Sequence, residues 1–277
     1  MKHFAALILA SALAVPLGAS PVSRFTPTSQ NLPSVVYRGD QIPPEQYKKD
    51  GGIPPEFTGD MTERSYSLWW HNLGTDNYPD RDFQSAYAAT STEFAVAVSF
   101  AIKDNPNEAG WIYRIHATPN MIDLAHSDFR PIYLEREFAA VGGIRWDQVE
   151  AWLEVPKNVS AEKGAGGIRQ EERKRWQTAE DFEKEFPDLK WVNNPPFARV
   201  INGDYNPVYD QYRVSQGQPQ LAGVPEGRRQ GPLASEFAKE NKTLEQHAIE
   251  FMDKVGAPVG WKGAFPLDLK APVNSQA

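Results

Sequence analysis

Glu135 and Glu137 stand either side of Arg136, immediately before the apolar, glycine-containing run Phe138 to Ile144. In an extended strand, residues two apart share a face, so these carboxylates would project together. Like charges that close repel and do not stabilise a fold. The pairing suits work at a cationic centre, where one carboxylate stabilises developing positive charge and the other handles a proton. The plain alternative is a solvated strand edge. Arg38 ends the β-branched run Ser34 to Arg38. Its guanidinium suits a phosphate or a site loop, and a salt bridge to Asp40 is the ordinary alternative. Arg38-Gly39-Asp40 spells an integrin-type triplet, but Val35 to Tyr37 reads as a core strand rather than a loop tip. Thr90-Ser91-Thr92 reads as a helix N-cap whose hydroxyls are also able to hold a carboxylate.

These groups need elements to carry them. Residues 39 to 60, with Pro43-Pro44, Gly51-Gly52 and Pro54-Pro55, predict a loop holding a short helix over Pro44 to Lys49. Thr92 is placed to cap a helix with Phe94, Ala97, Val98 and Ala101 on one face. Trp111, Tyr113 and Ile115 alternate as a strand, as do Val149, Ala151, Leu153 and Val155. Residues Glu171 to Phe186 predict one solvated helix. Its basic cluster, Arg169, Arg173, Lys174 and Arg175, is interleaved with Glu171, Glu172 and Glu180 and reads as an exposed face, not a nucleic-acid surface. Residues 193 to 232 read as an extended, wrapping segment. Leu233 to Val255 reads as helical, with Phe237, Leu244, Ala248, Phe251 and Val255 as an apolar stripe. Short strands, small helices and long loops make the fold class α+β rather than doubly wound, and no glycine-rich phosphate loop occurs.

The start of the chain predicts a secretory signal peptide over residues 1–19: Lys2, the apolar run Phe4 to Ala14, then small residues near Ala19. A leader follows over 20–33, then a main domain over 34–232 and a helical tail over 233–277. No later run is apolar enough to span a bilayer, so the expectation is a secreted protein without a transmembrane segment. The sequence has 277 residues, 40% of them hydrophobic, and a net charge of −7. That balance argues against nucleic acid as a partner. The absence of cysteine removes disulfides, metal thiolates and thiol nucleophiles, and no metal is expected. Asn158 and Asn241 open glycosylation triplets that mark surface positions.

An arginine, a Ser/Thr triplet and a Glu-x-Glu in this order resemble the arginine-specific ADP-ribosylating toxins, and within them the cholera toxin and heat-labile enterotoxin A subunits. Tyr37 to Glu45, running on to Gly51-Gly52-Ile53-Pro54, is similar to that family's opening segment. Leu68 to Thr75 resembles its histidine-bearing stretch. Ala117-Thr118-Pro119-Asn120-Met121 resembles a strand ending in APNM. Glu135 to Val155 resembles the glutamate block, with Gly142-Gly143-Ile144, Gln148 and Trp152 in step. Leu221 to Pro225 resembles a late turn. The likeness covers roughly residues 34 to 230.

The resemblance implies a fold of two small packed sheets forming an NAD⁺ cleft with peripheral helices, and transfer of ADP-ribose from NAD⁺ to an arginine of a host protein. It implies catalytic roles for Glu137, Glu135, Arg38, Thr90 and His71, and an NAD⁺ site of Arg38, Gly39, Asp40, Thr90, Ser91 and Glu137. Glu137 would stabilise the reacting ribose, Glu135 would prepare the acceptor arginine, and Thr90 would steady Glu137. A packed histidine beside Trp69 and Trp70 stays open for His71. The triplet's register also stays open, between Thr90-Ser91-Thr92 and Ala89-Thr90-Ser91. The family's activating disulfide cannot form without cysteine. A host target, action in the host cytosol and a receptor-binding B subunit are further implications. An NAD⁺ glycohydrolase and a non-catalytic binding protein on the same fold remain alternatives.

Overall fold

The structure, a computed structural model, describes residues 32–271 except 57–59, 75–83, 103–108, 157–158, 160–162, 165–166, 169, 202–203 and 229–231. The signal peptide, most of the leader, Thr75, Asn158 and Arg169 lie outside the described residues. No helix among the described residues is long and apolar enough to cross a membrane.

The architecture is α+β around a seven-stranded antiparallel sheet. Strand β1 (Val35–Asp40) pairs along its whole length with β4 (Gly110–His116), from Val35 opposite His116 to Asp40 opposite Trp111. On its other side β1 meets β3 (Tyr87–Ser91) through the pair Tyr37–Ser91. Beyond β3 come β6 (Glu137–Val141) and β5 (Met121–Asp123). Beyond β4 come β8 (Val149–Val155) and β9 (Val192–Asn193). The sheet is therefore two halves, one ending in β1 and the other beginning with β3, joined at one residue pair. A separate ribbon joins β2 (Gly52–Ile53) to β7 (Ile144–Arg145).

The alternation expected of these strands is realised as two faces. In β6, Ala139 and Val141 pack into one core with Tyr87, Leu68 and Trp69, while Phe138 and Ala140 join Val36, Tyr113 and Ile115 in another. A third core forms where α3 (Phe94–Ala101) crosses β1 and β4, with Phe94, Val98, Ile112 and Leu153. That crossing needs glycine. A Cβ on Gly39 would lie 1.7 Å from the Ala97 carbonyl oxygen, and one on Gly110 would lie 1.8 Å from that of Ala101.

The short helix after β1 forms as α1 (Pro44–Asp50), with proline in its first turn and Gly51 in the left-handed conformation at its end. The charged stretch forms two helices rather than the one expected. These are α4 (Gln170–Arg175) and α5 (Ala179–Glu185), divided by Thr178, whose side chain accepts from the Asp181 N–H in a capping box. It is also not merely solvated, since Trp176 and Phe182 are fully buried in the α3 core. The tail pattern likewise divides into α6 (Pro232–Phe237) and α7 (Leu244–Val255), the second opened by a capping box from Thr243.

Candidate active site

The sheet junction brings the sequence-selected residues together. Tyr37 pairs with Ser91, and Ser91 pairs with Glu137 across β3 and β6. Adjacent strands lie about 4.8 Å apart, so the backbones at Arg38 and Glu137 are held roughly 10 Å from each other.

Arg38 is nearly buried and fully organised. Its Nε and Nη2 donate to Asp40 Oδ2 at 3.1 and 2.8 Å, and Nη1 donates to the Ala89 carbonyl at 3.0 Å. The Glu56 carboxylate stands 3.8 Å from Nη2. Burial opposes the charge, but Tyr47, Asp40 and Glu56 outweigh it, and the guanidinium pKa is raised. Burial likewise opposes the Asp40 charge, but Arg38 and the donors Tyr47 Oη (2.6 Å) and Ile42 N–H (3.1 Å) prevail, and its pKa is lowered. A guanidinium has five N–H donors, and these bonds leave two of them for an anion. Asp40 therefore aims Arg38, and as a carboxylate it offers a phosphate nothing directly. Gly39 lets α3 cross β1 closely, which is the role the structure shows for it.

Glu137 is buried at the first residue of β6. Both its oxygens are engaged by α2 (Leu68–Leu73): His71 Nε2 lies 2.7 Å from Oε1, and Asn72 Nδ2 donates to Oε2 at 3.1 Å. The histidine contact is close but lacks hydrogen-bond alignment, and it is an ion pair when the imidazole is protonated. Nδ1 of the same ring lies 2.7 Å from Ser85 Oγ. Burial disfavours a charged imidazole, but Glu137 more than compensates, and the His71 pKa lies above its ordinary value. Asn72 Oδ1 accepts from the Ile132 N–H at 2.6 Å, tying the loop before Glu135 to the same amide.

Glu135 is buried too, but it precedes the strand rather than belonging to it. Arg136 has φ of +44°, so the i, i+2 strand geometry expected for the two glutamates does not apply. The segment is fixed from outside. Ser91 Oγ donates to the Glu135 carbonyl at 2.6 Å, and Glu93 pairs with Arg136 at 3.2 Å and with Arg173 at 3.3 Å. Arg173 also donates to the Leu134 carbonyl. Thr90 Oγ1 donates to the Phe138 carbonyl at 2.6 Å. The Thr90 and Ser91 hydroxyls thus hold the main chain on either side of Glu137. The N-cap of α3 is Glu93, whose N–H is accepted by Ser91 Oγ, rather than Thr92.

Several motif residues prove to be scaffolding. Gln148 donates to Thr118, Thr118 to Asn120, and Asn120 to the Val141 and Gly143 carbonyls, pinning the glycine turn after β6. The Ala222 carbonyl accepts from Trp69 N–H at 3.0 Å and Ser67 Oγ at 3.2 Å, so the late turn seats the start of α2 and with it His71 and Asn72. Sequence reasoning does not single out Asn72 or Ser85. Asn72 does fall next to His71, inside the histidine-bearing stretch.

A family model, heat-labile enterotoxin alpha chain, matches residues 22–181. The chain belongs to this family. Among its relatives is an NAD(+)--arginine ADP-ribosyltransferase, Chelt, of Vibrio cholerae, 30% identical over 139 residues, 44% of this chain and 22% of that protein. A heat-labile enterotoxin A chain of Escherichia coli is 28% identical over 137 residues, 46% of this chain and 52% of the other. The chain thus spans about half the length of that enterotoxin A chain and less of Chelt. Among solved structures, a heat-labile enterotoxin double mutant superposes with a TM-score of 0.48 at 19% identity, over 79% of this chain and 89% of the other. Among the described residues no cluster of histidine and carboxylate side chains could hold a metal ion.

Proposed function

We propose that this enterotoxin-family chain is a secreted mono-ADP-ribosyltransferase that moves ADP-ribose from NAD⁺ to an arginine of a host protein, releasing nicotinamide. The observation that carries the reading is the convergence of Arg38, with two donors to spare, and the buried Glu137 at one sheet junction, with Glu135 beside it. A relative named as an NAD(+)--arginine ADP-ribosyltransferase supports it.

NAD⁺ supplies a glycosidic bond to a positively charged nitrogen, and the pair of electrons in that bond leaves with nicotinamide. Arg38 is suited to hold the diphosphate through its remaining donors. Glu137, kept at the junction by Asn72 and His71, is suited to oppose the positive charge growing on the ribose carbon, which favours the transition state over the ground state. Glu135 is suited to orient the acceptor guanidinium and take the proton it loses as the new carbon–nitrogen bond forms. Thr90 and Ser91 keep the two glutamates in register through the main chain. A receptor-binding B subunit belongs to the same reading, since relatives are named as A chains.

Isotope-labelled NAD⁺, incubated with and without a cell lysate, tests the reaction. Glu137→Gln is expected to lower both NAD⁺ cleavage and protein labelling by about two to three orders of magnitude, the usual effect of removing one electrostatic stabiliser. Glu135→Gln is expected to abolish arginine labelling while leaving appreciable NAD⁺ cleavage. Near-native activity of a folded Glu137→Gln protein refutes the assignment, and equal loss of both activities in Glu135→Gln refutes the division of roles.

A further inference from the structure

A groove of about 490 Å³ opens beside α2, lined by Trp69, Phe129, Ile132, Val224 and two arginines, Arg130 and Arg228. A short hydrogen-bond chain ties its wall to Glu137. The Ile132 N–H of its wall donates to Asn72 Oδ1 at 2.6 Å, and the same amide holds Glu137 at 3.1 Å. The chain carries a net charge of −7, yet both of these arginines are exposed. Arg228 lies over the Trp69 ring at 5.6 Å, and among the described residues neither it nor Arg130 pairs with a carboxylate. Ile132 and Leu134, leading up to Glu135, expose 39% and 57% of their surface.

We propose that this groove docks the acceptor protein and selects an arginine flanked by acidic residues, an inference that rests on the arginine-transferase reading above. The acceptor guanidinium is itself a cation, so Arg130 and Arg228 repel it and leave Glu135 as its place. What the groove arginines attract is negative charge displaced along the acceptor chain from its arginine. The apolar walls accept an aliphatic or aromatic neighbour of that arginine. Opposite potentials at the two ends thus fix the direction in which the acceptor lies, and reject basic stretches by like-charge contact.

Synthetic peptides of one length, each with a single arginine flanked by Asp and Glu, by Ser and Gly, or by Lys, test this against agmatine, a small guanidino acceptor that reaches only the glutamates. The readout is the ratio of peptide to agmatine labelling by the full chain. The acidic peptide is expected to exceed the neutral one about fivefold at low salt, with the lysine peptide lowest and the spread shrinking as salt rises. Arg130→Glu/Arg228→Glu is expected to invert the order. Equal ratios for the three peptides, or an unchanged order in the double variant, overturn the inference while agmatine labelling keeps the reaction. Absence of both agmatine labelling and NAD⁺ cleavage overturns the reaction and the inference with it.

Discussion

Glu137 enters the fold with Asn72 and His71 already committed to it, and His71 titrates. Its pKa is raised in the folded protein, burial being outweighed by the Glu137 charge. In the unfolded chain the imidazole titrates near its ordinary value of about 6.5. Between those two values the native state binds more protons than the unfolded state, so stability falls as pH rises. The contribution is therefore complete below about pH 6.5 and is lost as pH passes the folded value. Urea unfolding of the chain and of His71→Gln from pH 6 upward should show the native protein losing stability over this window and the variant lacking that loss. Parallel profiles would mean that His71 is neutral in the fold. At this scale the sequence was partly legible. Arginine, hydroxyls and glutamates announce themselves by type, and they do meet at one junction. Asn72 does not, because an amide becomes a site residue only when a turn of helix and a distant loop converge on it. The turn at Arg136 was equally hidden, since nothing in Glu-Arg-Glu reveals a positive φ.

Helix α3 makes the junction rigid, and it approaches β1 more closely than any side chain allows. A Cβ on Gly39 would stand 1.7 Å from the Ala97 oxygen and 2.7 Å from the Ala101 nitrogen, both main-chain atoms that cannot swing aside. Gly39→Ala should therefore cost at least about 1–3 kcal/mol through overpacking, seen as a lowered thermal midpoint. Gly227→Ala is the control, because nothing lies within 4 Å of where its methyl group would stand and its φ is not in the left-handed region. Equal midpoints would show that α3 is free to slide off the sheet. Strands β1, β4 and β8 were legible because alternation needs only local information. The division of α4 from α5 was legible in principle, as Thr178 followed by Asp181 is a capping signature. The density of charge around it hid the buried Trp176 and Phe182.

Across the whole molecule, the tail packs into the same core that carries α2. Ala248, Phe251 and Met252 of α7, with Val259 and Leu267 beyond it, share a core with Tyr66, Leu68, Trp69 and Tyr87. Polar ties run the same way: Tyr66 Oη donates to Glu245 at 3.2 Å, and Arg145 reaches the Asp268 carbonyl at 3.5 Å. These observations favour a strut over a lid or a docking element, and the three differ in what removal does. A helix of this length is marginal alone in water, so the tail and the body stabilise each other. Phe251→Ala should lower the unfolding free energy by about 3–5 kcal/mol, as for other large-to-small aromatic changes in a core. Under the strut reading the folded fraction of that variant keeps its KM for NAD⁺ and its specific activity. Truncation after Pro232 should lower the thermal midpoint further, because it uncovers Tyr66 and Leu68 at once. A lid predicts that the truncated, folded protein cleaves NAD⁺ faster than the full chain. A docking element predicts lost partner binding with cleavage intact. If the truncated protein folds, by circular dichroism, yet neither binds nor cleaves NAD⁺, the tail is part of the active site. Its hold on the residues that seat α2 would then be its catalytic contribution.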